Sequence, residues 1–347
     1  MKGAIYYEYG KEVSIENLKD PSPSEGGVVI KVEATGVCRS DWYGWMGNDK
    51  DIVLPHVPGH ELAGEIVAVG RGVKKWKGGE RITVPFVGGC GHCPECDSGN
   101  HQVCDHQFQP GFTAWGSFAE YVAIDYADVN LVELPRSVSY VDAASLGCRF
   151  ITAFRGVVDL GKIQPGQWIA VYGCGGVGLS AIMIAHALKA KVIAVDINDD
   201  ALALAEECGA DVLINSRKTG DAPGSIVEIT KRGVHVSIDA LGNPLTCIQS
   251  IESLRKRGRH IQIGLMEEED TQVPLPMDKI IANELKILGS HGMQAHRYPA
   301  IWKMLEDGKI DPGLMISDEI NLEQGINLLT KMEHQPPKGI AVITELS

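Results

Sequence analysis

Between Trp168 and Asp196 the chain reads strand, glycine-rich turn, helix, strand, and that order leaves few folds open. WIAVY is a short apolar run suited to a buried strand. GCGGVG follows it, VGLSAIMIAHALKA has the length and pattern of a helix, and KVIAVD reads as a second strand. The alternation continues. DDALALAEECG reads as a helix ending at Gly209, and DVLIN, VHVSIDAL, GRHIQIGL and LKILGS as four more strands, six in all. Strands alternating with helices specify an α/β fold with a parallel, doubly wound sheet.

The turn fits G-x-G-x-x-G at Gly173, Gly175 and Gly178, with Gly176 and Val177 completing it. Gly173 permits the tight turn, Gly175 lets a pyrophosphate approach the backbone, and Gly178 lets helix pack on strand. The helix N-terminus favours phosphate charge. Asp196 ends the next strand roughly 20 residues on, where a carboxylate accepts hydrogen bonds from an adenosine ribose. It would also repel a 2′-phosphate, so the sequence points to NAD(H) and not NADP. The alternative is a bare turn with Asp196 capping the next helix; the strand before and the helix after weigh against it.

The preceding 135 or so residues have another texture. VVIKVEA, ELAGEIVAVG, ERITVPF and FAEYVAI are short, rich in Val, Ile and aromatics, and bounded by Gly or Pro. From Ser139, DAASLGCRFITAFRGVVDL carries helical spacing until GKIQPG stops it. After Ser290 come two helical stretches, PAIWKMLEDG and LEQGINLLTKM, and a final strand, GIAVITEL. A chain of 347 residues is long enough for two domains. The expected division is 1–150 with 291–347 as one domain and 151–290 as the coenzyme domain. No flexible linker separates them, so the change near 150 reads as a packed junction, a common setting for a ligand cleft.

Nine cysteines, at 38, 90, 93, 96, 104, 148, 174, 208 and 247, accompany a start, MKGAIYYEYG, with no apolar signal core. An odd count without such a signal argues against a disulfide framework and for the cytoplasm. Cys90, Cys93, Cys96 and Cys104, spaced C-x2-C-x2-C-x7-C, fall in a glycine-rich stretch, 88–106, with little core of its own. Four thiolates pinning such a loop suit a closed structural zinc site. An iron–sulfur cluster is the rival. A nucleic-acid-binding ribbon is disfavoured by a net charge of −13. No apolar run approaches the ~20 residues of a membrane span.

Three further segments pair a soft or imidazole ligand with polar neighbours: Cys38 in GVCRSDW, His60 in PGHELAG and Cys148 in LGCRF. An isolated cysteine is usually a small buried hydrophobe. Twenty-two and eighty-eight residues separate the three, so spacing does not join them.

The order Cys-Arg-Ser-Asp, Gly-His-Glu, four-cysteine lobe, Gly-Cys before a helix, then GCGGVG closely resembles the zinc-dependent medium-chain alcohol dehydrogenases, across essentially the whole chain. The resemblance implies a β-rich GroES-like catalytic domain beside the coenzyme domain. It implies two zinc ions per chain and the open two-cysteine, one-histidine site known for alcohol dehydrogenase, here Cys38, His60 and Cys148. It makes Ser40 the relay hydroxyl that takes the alcohol proton and Asp41 the carboxylate that orients His60. Glu61 becomes an occasional alternate ligand, Arg39 a pyrophosphate contact, Thr152 a residue lining the nicotinamide, and Ile263 and Leu288 its flanks. Two departures stand out. Tyr43 replaces a histidine that finishes the proton path in many relatives, and Ile340 stands where many carry a pyrophosphate arginine.

The implied reaction is reversible hydride transfer between a primary or secondary alcohol and NAD, giving an aldehyde or ketone. Trp42, Trp45, Phe86 and Trp115 lie close in sequence to ligand segments and are candidates for a substrate pocket; ordinary core aromatics are the alternative. Polyol dehydrogenases of the superfamily usually have a carboxylate as third ligand, so oxidation of a polyol or amino alcohol is the second reading. A metal-storing relative without activity would be expected to have lost ligands or the glycine loop, and neither is lost. The short stretch between Cys104 and Phe118 accompanies homotetramers more often than dimers in this family.

Overall fold

The computed structural model describes residues 1–266, 272–335 and 337–347. They form two compact units: residues 1–148, 292–307 and 316–347, and residues 149–291 with 308–315. Residues 308–315, expected in the catalytic domain, pack instead with the second unit, where Met315 Sδ lies 3.7 Å from Ser180 Oγ.

The first unit is built on a mostly antiparallel sheet. Its longest strands, Val28–Gly36 and Glu61–Val69, pair through eight positions from Val28 opposite Val69 to Gly36 opposite Glu61. Arg81–Thr83 and Val132–Glu133 continue one side, Ile340–Glu345 and Ile316–Asn321 the other, and Tyr121–Ile124 also pairs with Val28–Gly36. Alternating Val and Ile side chains make the core face; Val28, Ile30, Leu62, Ile66, Ile82 and Val122 are all buried there. A hairpin, Lys2–Tyr6 with Val13–Asn17, packs its apolar residues into the same core.

Two of these strands are shorter than their sequences suggest. ERITVPF forms a strand only at Arg81–Thr83 and FAEYVAI only at Tyr121–Ile124, with Ala119 adding an isolated bridge to Gly3. Ile316–Asn321 was not anticipated, because ISDEIN is largely exposed and polar and pairs on one side only, with Ile340–Glu345.

The second unit contains all six expected strands, all parallel, in the order Val212–Asn215, Lys191–Asp196, Trp168–Tyr172, Val234–Asp239, Leu254–Gln262, Lys286–Gly289. In chain order this is 3-2-1-4-5-6, and the direction of winding reverses between Trp168–Tyr172 and Val234–Asp239. Ligands bind outside the carboxyl ends of strands at such a reversal. The helix after the first strand, Gly176–Ala187, is buried from Gly178 through Ala185, as its apolar composition requires.

The helical run expected from Asp142 to Leu160 is interrupted. Ser139 caps helix Tyr140–Ser145 by accepting from the Asp142 N–H, 2.9 Å. The chain turns at Leu146 and Gly147, and a second helix, Cys148–Phe154, runs into a π-helical turn, Arg155–Leu160. Gly147 is pressed against Glu61: a Cβ there would lie 2.6 Å from the Glu61 Cβ. The break sets Cys148 at the head of a helix next to Glu61.

Candidate active site

Four ligand atoms converge in the first unit. Those of Cys38, His60, Glu61 and Cys148 all lie within 4.8 Å of one another. Each comes from an element end. Cys38 is the N-cap of helix Arg39–Trp45, Glu61 begins strand Glu61–Val69 with His60 just before it, and Cys148 begins its helix. Residues distant in sequence therefore meet where strands and helices start.

Asp41 organises this set. It is 2 % exposed. Its Oδ2 accepts from the Cys38 N–H, 2.9 Å, closing a capping box, and its Oδ1 accepts from the Gly59 N–H, 3.0 Å. The same Oδ1 lies 2.7 Å from His60 Nδ1. An N–H on Nδ1 leaves the Nε2 lone pair for a ligand. His60 Nε2 is buried and makes no hydrogen bond. Burial opposes charge on His60, yet the Asp41 carboxylate and the Cys38 thiol raise its pKa well above the ordinary value. Two thiols, a carboxylate and an imidazole at this density draw in positive charge, and a divalent cation answers that demand better than a proton. The donor set fits zinc.

The His60 ring packs near Phe112, 5.1 Å between centroids, and Phe86, 6.0 Å. Phe112 went unnoticed in the sequence, because nothing in QPGFTAW distinguishes it from a core aromatic. Tyr298 was missed for the same reason. It is fully buried and its hydroxyl has no hydrogen-bond partner. Burial raises its pKa, and negative charge on Cys148 and Glu61 raises it further, which places the phenol within electrostatic reach of the ligand set.

The other candidates fall variously. Ser40 and Tyr43 lie half-buried on or beside the helix that carries Asp41. The Arg39 guanidinium stacks 4.8 Å over the Trp42 ring. Trp42 and Trp45 belong to the first unit's core, and the Trp45 indole N–H donates to the Lys11 carbonyl, 2.9 Å. Trp115 is 38 % exposed and donates to the Pro55 carbonyl. Of the four aromatic pocket candidates, Phe86 is the one that the ring contacts set beside His60.

The second ligand set is the lobe. Cys90, Cys93, Cys96 and Cys104 are all buried, are not in disulfides, and bring their sulfurs within 4.8 Å of one another. Backbone N–H groups serve the sulfurs: Cys96 to Cys93, 3.4 Å, Cys90 to Cys104, 3.3 Å, and His106 to Cys104, 3.2 Å. The Cys96 N–H pulls the Cys93 thiol down to about 6. Such bonds favour thiolates, the form that binds metal, while burial opposes them, raising the Cys96 thiol and pushing Cys104 up to about 12.

In the second unit Gly173 has φ +90°, and a Cβ on Gly178 would lie 1.8 Å from the Gly173 carbonyl oxygen, so both positions require glycine. A Cβ on Gly175 would meet nothing within 4 Å; the turn is open there, as a phosphate needs. Asp196 lies beside the turn, its Oδ2 accepting from the Cys174 N–H, 2.7 Å, and its Oδ1 from the Asn198 N–H, 2.9 Å. The next helix is capped by Asn198, not by Asp196. Thr152 is buried, with its carbonyl accepting from Ser290 Oγ, 3.2 Å. Ile263 is buried at the end of its strand, its N–H bonded to the Asp239 carbonyl, and Leu288 is half-buried on the edge strand.

Residues 24–136 match the alcohol dehydrogenase GroES-like domain, and residues 176–307 the zinc-binding dehydrogenase family. An NAD-dependent alcohol dehydrogenase of Sulfurisphaera tokodaii is 32 % identical over 354 residues, covering 99 % of both chains. A sorbitol dehydrogenase of Bacillus subtilis is 35 % identical over 331 residues, covering 93 % of this chain and 91 % of its own. The solved alcohol dehydrogenase of Thermus sp. ATN1 superposes with a TM-score of 0.90 at 26 % identity, covering 99 % of this chain and all of its own. The chain belongs to the zinc-type alcohol dehydrogenase family, and it is an oxidoreductase.

Proposed function

We propose that this chain oxidises primary or secondary alcohols with NAD, reversibly, using one catalytic and one structural zinc. The observation that carries the reading is the set Cys38, His60 and Cys148, with the orphaned Nε2 of a histidine already oriented by Asp41. Bound there, zinc would acidify an alcohol hydroxyl and NAD would take up the hydride. The chain's own residues do the rest. Asp41 fixes the His60 tautomer, Glu61 stands by as alternate ligand, Ser40 accepts the substrate proton, and Tyr43 follows it in the path. Phe86 and Phe112 keep water from the His60 ring. In the second unit Gly173, Gly175, Gly176, Val177 and Gly178 cradle the pyrophosphate and Asp196 holds the ribose. Arg39, Thr152, Ile263 and Leu288 complete the coenzyme contacts.

The lobe ligands Cys90, Cys93, Cys96 and Cys104 would hold the second zinc. Four thiolates leave no open position, so this ion stabilises and does not react. No helix among the described residues is long and apolar enough to cross a membrane. Nine unbridged cysteines support a cytoplasmic setting. A homotetramer, with a dimer as the smaller option, is our reading of the assembly.

A panel of alcohols, aldehydes, polyols and amino alcohols assayed with NAD and NADP, alongside elemental analysis, tests the proposal. Turnover of simple alcohols with NAD and two zincs per chain is the expected result. Turnover confined to polyols, or iron at the lobe, would overturn the corresponding part.

A further inference from the structure

Helix Tyr298–Glu306 begins with a phenol sealed inside the first unit, the unit that also holds Cys38, His60, Glu61 and Cys148. Tyr298 is 0 % exposed, and its hydroxyl has no hydrogen-bond partner among the described residues. A buried hydroxyl left unpaired is costly, and native proteins seldom carry one without a use. The ring is held in place: it packs against Trp302 one helical turn on, 5.5 Å between centroids, with a proline in the first turn. The same segment runs along the wall of the ligand set, since a Cβ on Gly292 would lie 3.2 Å from Phe86 Cε1 and Phe86 packs on His60. The charges of Cys148 and Glu61 both act on the hydroxyl, so it lies on the side of those two ligands.

Glu61 poses the complementary problem. It is 0 % exposed, and its carboxylate belongs to the cluster with Cys38, His60 and Cys148. Gly147 backs its stem: a Cβ added there would lie 2.6 Å from Glu61 Cβ and 2.7 Å from its Cγ. Packing therefore fixes the stem, and the carboxylate is the part left to turn. Four protein ligands close a zinc site, whereas an open one keeps three. The alcohol needs the place that Glu61 would take. A carboxylate that is off the metal and out of water is stable only where donors meet it. A phenol O–H is such a donor.

We propose that Tyr298 is a positioning residue for this reaction: its hydroxyl donates a hydrogen bond to the Glu61 carboxylate when that group stands off the metal, which keeps the fourth place open for the alcohol. Tyr298 acts through Glu61 and touches neither substrate nor coenzyme. The inference rests on the zinc reading of Cys38, His60 and Cys148.

The test places cobalt(II) at the catalytic set, with zinc in the lobe, and titrates imidazole, which takes an open position and shifts the visible cobalt bands. Tyr298→Phe removes one oxygen and keeps the ring. A hydrogen bond to a carboxylate biases Glu61 by about tenfold to a hundredfold, and the apparent affinity of a probe scales with the fraction of protein whose place is open. Imidazole should therefore bind Tyr298→Phe at least about tenfold more weakly than wild type, and the cobalt bands should differ before any imidazole is added. In a Glu61→Ala background the same substitution should change imidazole affinity less than about twofold. An equal loss in both backgrounds means that Tyr298 acts through packing or through Cys148, and overturns the inference; so does no loss in either. Both results leave the zinc reading standing. A wild type that holds neither cobalt nor zinc at Cys38, His60 and Cys148 overturns the zinc reading and the inference together. Should Tyr298→Phe fail to fold, 3-fluorotyrosine at position 298 decides the matter: a fluorine resonance that moves on Glu61→Ala supports the proposal, and an unmoved one defeats it.

Discussion

At the scale of single residues, the chemistry depends on side chains whose partners are fixed before any ligand arrives. Asp41 takes hydrogen bonds from Cys38 and Gly59 and holds His60. Ser40, the next residue back, lies half-buried beside it. Replacing Ser40 by Ala should lower kcat by about 10²–10⁴-fold, the usual loss for a positioned proton acceptor, with NADH affinity nearly unchanged. Wild-type turnover in that variant would assign the proton to water or Tyr43. Asp196 also carries a specific expectation. Ile197, Asn198, Asp199 and Asp200 offer no cation to a 2′-phosphate, and Asp199 is itself held below the usual carboxylate range by Lys218 and Asn215. Asp196→Gly should raise KM for NAD and narrow the gap to NADP without reversing it. Equal kcat/KM for both coenzymes in the wild type would refute the role of Asp196. Cys38, His60 and Cys148 show what single residues reveal in a sequence. Each by itself is an ordinary cysteine or histidine, and only the family resemblance joined them. Phe112 and Tyr298 stayed hidden, since neither sits in a recognisable motif and folding alone brings them near the ligands.

At the scale of elements, legibility followed how local the cause was. The six strands of the second unit could be read because short apolar runs bounded by turns repeat one after another. The break at Gly147 could not. Apolar spacing runs straight through it, and what packs against Gly147 at the break is Glu61, far off in sequence. The edge strand Ile316–Asn321 escaped for a related reason: with one neighbour and a polar face it lacks the alternation of a half-buried strand. The lobe was legible in its cysteines alone. It contains one short helix, Pro94–Asp97, and a 3₁₀ turn, His101–Val103, with the four sulfurs as its buried centre. An element so poor in core depends on its metal. Cys96→Ala should lower Tm by about 6–12 °C, the shift for ~3 kcal/mol lost in a unit of this size, while zinc at the other site remains. Unchanged melting with both zincs retained would reject a structural lobe.

At the scale of the whole molecule, the negative net charge of −13 discourages nucleic acid and makes acid the condition to examine for stability. The second unit carries a fully buried histidine among its strands. Gln262 donates its amide N–H to Asp239 Oδ2 and the Gly264 carbonyl, both 2.9 Å, so its Oε1 must accept from His260 Nε2, 3.1 Å. His260 Nδ1 then accepts from the Ser250 hydroxyl, 3.0 Å, and the Cys247 sulfur lies 3.9 Å from Nε2. The network satisfies a neutral imidazole; a second ring proton would have only the Ser250 and Ser237 hydroxyl oxygens to receive it. Burial lowers the His260 pKa, partly offset by Gln262 and the Asp239 charge. A histidine depressed in the native state contributes its full stability above its unfolded pKa, about 6.5. As pH falls below that value the unfolded chain takes up a proton that the native chain refuses, and stability declines until the native pKa is reached. The slope for one such group is at most about 1.4 kcal/mol per pH unit. His260→Gln should therefore be less stable than wild type at pH 7.5, through the disturbed network, yet lose less stability between pH 6.5 and 5. Chemical denaturation of zinc-loaded protein across that range measures both curves. The metal-linked acid loss is common to the two proteins and cancels in the difference. Converging curves are the expected outcome; parallel curves would mean that His260 charges as readily in the folded protein as in the unfolded chain.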